Sequence, residues 1–393
     1  MERYASPAWV EYVALPVRCH ISPRALARGI FLRYAAFMEE NRETIIKRLL
    51  HNTAEIITPE EFEQRLNSNE QLTHYIGFEI SGYVHIGQGI MSALVMKDLM
   101  ALGVQCTVWL ADWHSAINNK LDGTPQTAAR IGQGYFTEAL KACLVAVGAD
   151  PDKVEFRLAS EWYAKDGMRY FETLVAVAQN TTVARAMRSI SIMGKEAGEE
   201  AELATLFYPA MQAADIFFQH IDIAHASMDQ RKAHVVMRDV AGKVAPQKPK
   251  PIALHHALVD SLNGESKMSK SKPEAAVFIH DSAEDIARKV KKAFCEEKNV
   301  AKNPILNWTK NILFWNRTTP FVIERKPEHG GTREFTTYAD LEQAFAAGDI
   351  HPMDLKAAVA KELVELLAPA RAHFATPDVA AKKAELDKVL QNR

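Results

Sequence analysis

Lys267-Met268-Ser269-Lys270-Ser271 places two ammonium groups three positions apart, among hydroxyls and just after Gly264. A mobile, glycine-flanked loop of that make-up suits an oligophosphate, because lysine meets phosphate as a compact point charge. At average residue usage the pentamer arises by chance in a chain this long on the order of 1 time in 10,000. A second candidate lies upstream, in Gly77-Phe78-Glu79-Ile80-Ser81-Gly82-Tyr83-Val84-His85-Ile86-Gly87-Gln88. Glycines there let backbone approach a nucleotide, and a helix beginning at its end offers unpaired N–H groups and a positive dipole end to phosphate. His85 stands at the mouth, where it can donate a hydrogen bond to a phosphoryl oxygen as negative charge develops. A lone glycine-rich turn is more often structural. Paired with the lysine loop, in this order, it describes a nucleotide site.

Elements that could position these residues are legible from periodicity. Ile45, Ile46, Leu49 and Leu50 give a helical apolar face. Thr58-Pro59-Glu60-Glu61 reads as a helix start, with a capping hydroxyl, a first-turn proline and a capping-box glutamate. Short apolar runs at Tyr75–Phe78, Val104–Leu110 and Val154–Leu158 predict buried strands. Helical stretches are predicted between them, over Gly89–Leu102 and Thr127–Val147. Strands and helices alternating in this way imply a parallel, doubly wound, Rossmann-like α/β sheet. Residues 163–194 and 200–218 read as mainly helical, with strands returning at Ile221–Ala224 and Leu254–Leu262. Beyond Pro273 the chain reads as helical to Leu390, broken near Gly330-Gly331 and Gly348-Asp349, and a domain boundary is expected at Pro273. The expected division is an extension over 1–37, a catalytic domain over 38–273 with a helical insertion at about 120–200, and a helical domain over 274–393.

Composition narrows the field. A chain of 393 residues with 48% hydrophobic and 24% charged side chains belongs among globular proteins, and its net charge of −2 neither requires nor excludes nucleic acid. Cys19, Cys106, Cys143 and Cys295 form no Cys-x-x-Cys pair, which argues against a zinc knuckle or a disulfide framework and fits a reducing, cytoplasmic setting. No protein-bound structural metal is expected, and no apolar run approaches the roughly 20 residues that span a bilayer. Arg3, Arg18, Arg24, Arg28 and Arg33 make the first 37 residues basic, as in a transit peptide. No cleavage signal is evident, so an irregular extension, or sequence upstream of a start at Met38, is the expected reading.

His85-Ile86-Gly87-Gln88 followed by the lysine loop resembles the two signatures of class I aminoacyl-tRNA synthetases. The wider context resembles the archaeal and eukaryotic type of tyrosyl-tRNA synthetase, through Tyr75–Glu79, Leu110–His114, Tyr208–Gln212, Met228–Lys232 and His351–Lys356. The resemblance runs from about Met38 to Phe374. It implies a two-step ligase that joins tyrosine to ATP as an adenylate, releases pyrophosphate, and passes the tyrosyl group to the terminal ribose of tRNA(Tyr). It implies His85, Lys267 and Lys270 as the catalytic groups. Gly77, Glu79, Gly87, Gln88, Met268, Ser269 and Ser271 would hold ATP, with Mg2+ sharing the phosphate charge. The family usually has a second histidine where this chain has Gln88. A neutral amide can still donate to phosphate or adenosine, so a changed rate or nucleotide affinity is expected.

The resemblance also assigns Tyr75 and Asp215 to the phenolic hydroxyl of tyrosine, and Tyr208, Gln212 and Gln230 to its ammonium end. Helical spacing puts Tyr208, Gln212 and Asp215 on one side, and a carboxylate in the apolar run from Ala213 to Phe218 is costly to bury without a donor. Asp112 and His114 follow a strand and could face the pocket or cap the next turn. Arg231 and Lys232 resemble contacts to the tRNA acceptor stem. His351, Pro352 and Asp354 resemble the element that reads the first anticodon base, with His329 beside Gly330 in place of an aromatic stacking partner. A homodimer is implied, with helices between Thr127 and Ser191 as the place for its interface. A tryptophanyl enzyme and a non-catalytic tRNA-binding paralogue are the alternatives.

Overall fold

The computed structural model describes residues 42–68, 70–194, 202–265, 268 and 272–392. The extension over 1–37, and Lys267, Ser269, Lys270 and Ser271 of the lysine loop, lie outside the described residues. The chain divides after Thr44, and the following concerns the body from Ile45 onward.

Six strands make the central sheet: β1 (Glu55–Ile57), β2 (Thr73–Phe78), β3 (Gln105–Leu110), β4 (Val154–Leu158), β5 (Ile223–Ser227) and β6 (Ile252–His256). They lie in the order β1-β6-β5-β2-β3-β4. All neighbours are parallel except β1 and β6. Parallel sheets are covered on both faces and so are apolar at successive positions, not alternate ones. Tyr75, Ile76, Val108, Trp109 and Leu110 are accordingly all buried. From β2 the chain builds β3 and β4 to one side, then crosses back to lay β5 on the other edge of β2. That reversal opens a crevice at the carboxyl ends of β2 and β5, where sheets of this kind bind ligands.

The predicted strands and helices are present, with instructive shifts. The strand expected from Ile221 begins at Ile223, and the one expected to reach Leu262 ends at His256. The predicted helix from Thr127 to Val147 is two helices, Pro125–Ile131 and Thr137–Ala146, joined by a π turn over Gly132–Phe136. The wider turn buries Tyr135 completely and lets its hydroxyl reach the backbone N–H of Val84 at 3.1 Å. Thr58 caps its helix as expected, while Glu61 turns away from the capping box to pair with Arg238 at 2.7 Å. β1 escaped the sequence reading, being three residues long.

Histidines run through the sheet in two hydrogen-bonded rows. His74 Nε2 lies 3.1 Å from His225 Nδ1, and His225 Nε2 lies 2.8 Å from His256 Nδ1, on β2, β5 and β6 in turn. His234 Nδ1 meets His255 Nε2 at 3.1 Å, and His255 Nδ1 lies 3.1 Å from Glu55 on β1.

Beyond Pro273 helices dominate, as predicted, with a two-stranded hairpin of β7 (Phe321–Ile323) and β8 (Arg333–Phe335) that periodicity did not show. Ser282 caps the helix Ala283–Lys292 through the N–H of Asp285. Of the lysines on that helix, Lys289 is buried, 2.7 Å from Asp281 and over the Phe278 ring. The last helix, Pro377–Gln391, packs back on the π turn at Gly132–Phe136. Among the described residues, no helix is long and apolar enough to cross a membrane.

Candidate active site

β2 carries the first side chains to the crevice. Tyr75 and Gly77 point to the same face two residues apart, and a Cβ at position 77 would stand 2.4 Å from the Tyr75 hydroxyl. Glycine is therefore what lets the Tyr75 ring lie along its own strand. The chain continues through residues 79–85 into the helix Ile86–Ala101, whose N-cap is His85. No acidic residue occupies the first turn, so the helix's own sequence leaves the positive end of its dipole uncompensated. Gly87 is hemmed in, since a Cβ there would lie 3.0 Å from Val259 and 3.3 Å from the His85 ring.

These residues line one cleft of about 1080 Å³. Tyr75, Gly77, Glu79, His85, Gly87, Gln88, Tyr208, Gln212, Gln230 and Met268 all border it, drawn from five separate stretches of sequence. Met268, the described residue of the lysine loop, is buried, and its N–H meets the Val259 carbonyl at 3.3 Å. Glu79 is held by three groups: the Asn118 amide at 2.5 Å, the Tyr208 hydroxyl at 3.3 Å, and Lys120 at 3.6 Å. Gln230 donates to the Ile192 carbonyl at 2.9 Å. The side-chain amide oxygens of Gln88 and Gln212 are buried without a protein partner. Buried polar atoms are almost always satisfied, so these two mark places for a ligand's donors.

Asp215 is fully buried behind Tyr75, and its donors were not foreseen. Tyr163 donates its hydroxyl to Oδ1 at 2.7 Å, and the indole N–H of Trp109 donates to Oδ2 at 3.1 Å. A phenol and an indole within the chain thus supply the hydrogen bonds that burial demands, and two of roughly four lone-pair positions are used. Burial raises the Asp215 carboxyl to about 8, against the pull of Tyr163, Trp109 and the neighbouring Tyr170 hydroxyl. His114 lines the cleft, its Nε2 is 3.9 Å from Asp215, and neither ring nitrogen has a hydrogen-bond partner. Burial lowers the His114 imidazole to about 4, so it stands neutral, edge-on to Tyr208. Asp112 takes the other course open to it: its Oδ1 accepts from the N–H groups of Trp113 and Ser160, tying the end of β3 to the end of β4.

The residues expected to meet RNA lie apart from the cleft. Arg231 makes a bidentate pair with Glu55, and Lys232 donates to Ser191 at 2.8 Å. Both border a second cavity that also gathers Arg185 and Arg188. In the C-terminal half, Asp354 lies 3.1 Å from Arg325. His351 caps its helix through the N–H of Met353, and Pro352 follows it, buried. His329 is exposed in the turn before Gly330, whose Cβ position lies 3.9 Å from Arg325. Arg325, unremarked in the sequence, joins the two elements.

A doubly wound sheet with this cleft and these two signatures defines a synthetase: the chain belongs to the tRNA synthetases class I (W and Y), the family that matches residues 67–368. Tyrosine–tRNA ligase of Thermococcus sibiricus is 45% identical over 346 residues, covering 82% of this chain and 92% of the relative. The structure of tyrosyl-tRNA synthetase complexed with L-tyrosine from Pyrococcus horikoshii superposes with a TM-score of 0.83 at 40% identity, covering 90% of this chain and all of that one. Tryptophanyl-tRNA synthetase of Aeropyrum pernix shares the fold alone, with a TM-score of 0.57 at 19% identity. Within the class, this chain is of the archaeal type of tyrosyl-tRNA synthetase.

Proposed function

We infer that the cleft performs both steps of a tyrosine–tRNA ligase. The observation that supports this most is that the cleft led into by the His85 helix is lined by Tyr75 and by His114, whose Nε2 lies 3.9 Å from the buried carboxylate of Asp215. Tyrosine enters phenol first and gives its hydroxyl hydrogen bonds to Tyr75 and Asp215. Its ammonium end rests among Tyr208, Gln212 and Gln230. ATP lies along Gly77, Glu79, Gly87, Gln88 and Met268, and the unpartnered Gln88 oxygen suits a ribose hydroxyl or the adenine amino group.

A carboxylate oxygen of tyrosine attacks the α-phosphorus, the bond to the bridging β-oxygen breaks, and pyrophosphate leaves. No covalent enzyme intermediate forms, so catalysis rests on positioning and charge stabilisation. His85 donates to the α-phosphoryl oxygens, while Lys267 and Lys270, with the hydroxyls of Ser269 and Ser271, receive the departing pyrophosphate. Among the described residues no cluster of His, Cys, Asp or Glu is placed to hold a metal ion. Mg2+, bound to the nucleotide, would neutralise part of the phosphate charge. In the second step a terminal ribose hydroxyl of tRNA(Tyr) attacks the adenylate carbonyl, loses its proton and displaces AMP.

Arg231 and Lys232 meet the acceptor stem, and His329, His351, Pro352 and Asp354 read the anticodon, which makes residues 274–393 the anticodon-binding part and 38–273 the catalytic part. The enzyme works as a cytoplasmic homodimer. ATP–pyrophosphate exchange with each amino acid in turn tests the whole reading. Tyrosine alone should support exchange; exchange driven by tryptophan, or none at all, would overturn it.

A further inference from the structure

Tyr83, in the turn that ends at His85, makes a contact that the two-signature reading leaves unexplained. Its hydroxyl donates to Asp387 Oδ1 at 2.5 Å, across 304 positions of sequence. Asp387 belongs to the terminal helix Pro377–Gln391, which lies beyond the family match. Lys383, one turn earlier, pairs with the same carboxylate at 2.9 Å and stands 5.2 Å over the Tyr83 ring. The ring itself is packed edge-on against Phe278 and His280.

The backbone around Tyr83 is pinned from other directions. Ile86 donates to Val277 at 3.0 Å, Ile279 donates to Val84 at 3.2 Å, and Val84 donates to the Tyr135 hydroxyl at 3.1 Å. Tyr83 and His85 both line the cleft, while Val84 between them is buried. The cleft wall that carries both also includes Asp387, Leu390 and Gln391. The helix is held at a distance from this contact as well, by Lys382 on Glu138 at 2.8 Å and by Arg130 on Glu385.

We propose that the terminal helix is part of the adenylate-forming site, its Asp387 holding Tyr83 and, through it, the backbone that presents His85 to the α-phosphate. This rests on the functional reading above. Tyr83 and Asp387 are positioning residues: neither needs to touch ATP, and the loss of either lets His85 drift from the geometry the transition state requires.

The test is exchange kinetics and tyrosine binding on the full chain, for wild type, Tyr83→Phe, Asp387→Ala, Asp387→Asn and the double variant Tyr83→Phe/Asp387→Ala. Each of Tyr83→Phe and Asp387→Ala should lower kcat for exchange about tenfold, as expected for a lost charge-assisted hydrogen bond. Tyrosine affinity should stay unchanged. The double variant should be no worse than the poorer single, because both remove one contact. Asp387→Asn, whose amide oxygen still accepts from the phenol, should recover most of the rate. Unchanged kcat, additive losses, or a parallel loss of tyrosine binding would overturn the proposal. Should Asp387→Ala fold poorly, Tyr83→Phe keeps the ring packing and decides alone. An inactive wild type would overturn the functional reading and this proposal together, whereas full activity in the variants overturns this proposal only.

Discussion

On the proposed reading, Asp215 concentrates the choice of substrate in one carboxylate. Trp109 and Tyr163 hold it in place from the protein side, and phenylalanine would bring the same ring to it without a hydroxyl. A site built around polar groups discriminates by leaving them unpaired when the wrong ligand enters. Asp215→Asn should therefore cut the ratio of kcat/KM for tyrosine over phenylalanine by about tenfold or more, near 1.4 kcal/mol. An unchanged ratio would remove Asp215 from the hydroxyl site. The same side chain has a pH signature. Its folded carboxyl is raised to about 8 from an ordinary 3.8, so the stability it contributes is complete below about pH 4 and is lost as pH rises through 8. Melting of wild type against Asp215→Asn should show a gap that moves in favour of the variant from pH 6 to 9. The position of Asp215 in an apolar helix was readable in the sequence. Its donors were not, because Trp109 lies 106 positions away and Tyr163 lies 52, and only the packing of strand against helix brings them in.

At the scale of elements, the histidine rows make the sheet sensitive to acid. Burial holds His74 at about 3 and His255 and His256 at about 4, and pushes His225 and His234 well below their ordinary value. The His225 imidazole also feels its neighbours His256 and His74, and His255 feels Glu55 and Arg231. An unfolded chain takes up protons near pH 6.5 that the folded sheet refuses. Stability should thus be complete above about pH 6.5 and fall toward pH 4, by up to about 1.4 kcal/mol per pH unit for each histidine. Thermal melts from pH 8 to 4.5 check this, and His225→Gln should flatten the slope; a flat wild-type profile would refute it. Sequence periodicity found the long strands and helices because burial stamps itself on consecutive residues. It missed β1 and the β7–β8 hairpin, whose three-residue strands are too short to show a period, and nothing local marked the rows of histidine.

At the scale of the molecule, one region stays conspicuously apolar. Met168, Phe171, Val183, Met187, Leu203 and Phe207 are all exposed, on helices gathered between residues 167 and 218. Apolar patches of this kind mark association sites, and these overlap the helices where the sequence placed a dimer interface. A second copy of the chain would cover them. Sedimentation should show a particle of two chains, and Phe171→Asp with Val183→Asp should halve its mass while the fold persists. A monomeric wild type would exclude the homodimer.

The π turn at Gly132–Phe136 has a consequence for helix phase. Arg130 and Glu138 are eight residues apart, which on a regular α-helix leaves their side chains roughly 80° out of step. A π turn absorbs one residue, and seven residues bring them back to within about 20°. Both then face the terminal helix, Arg130 toward Glu385 and Glu138 toward Lys382. The widened turn acts as a vernier: by one residue of slack it sets two distant charges in line along a single docking partner.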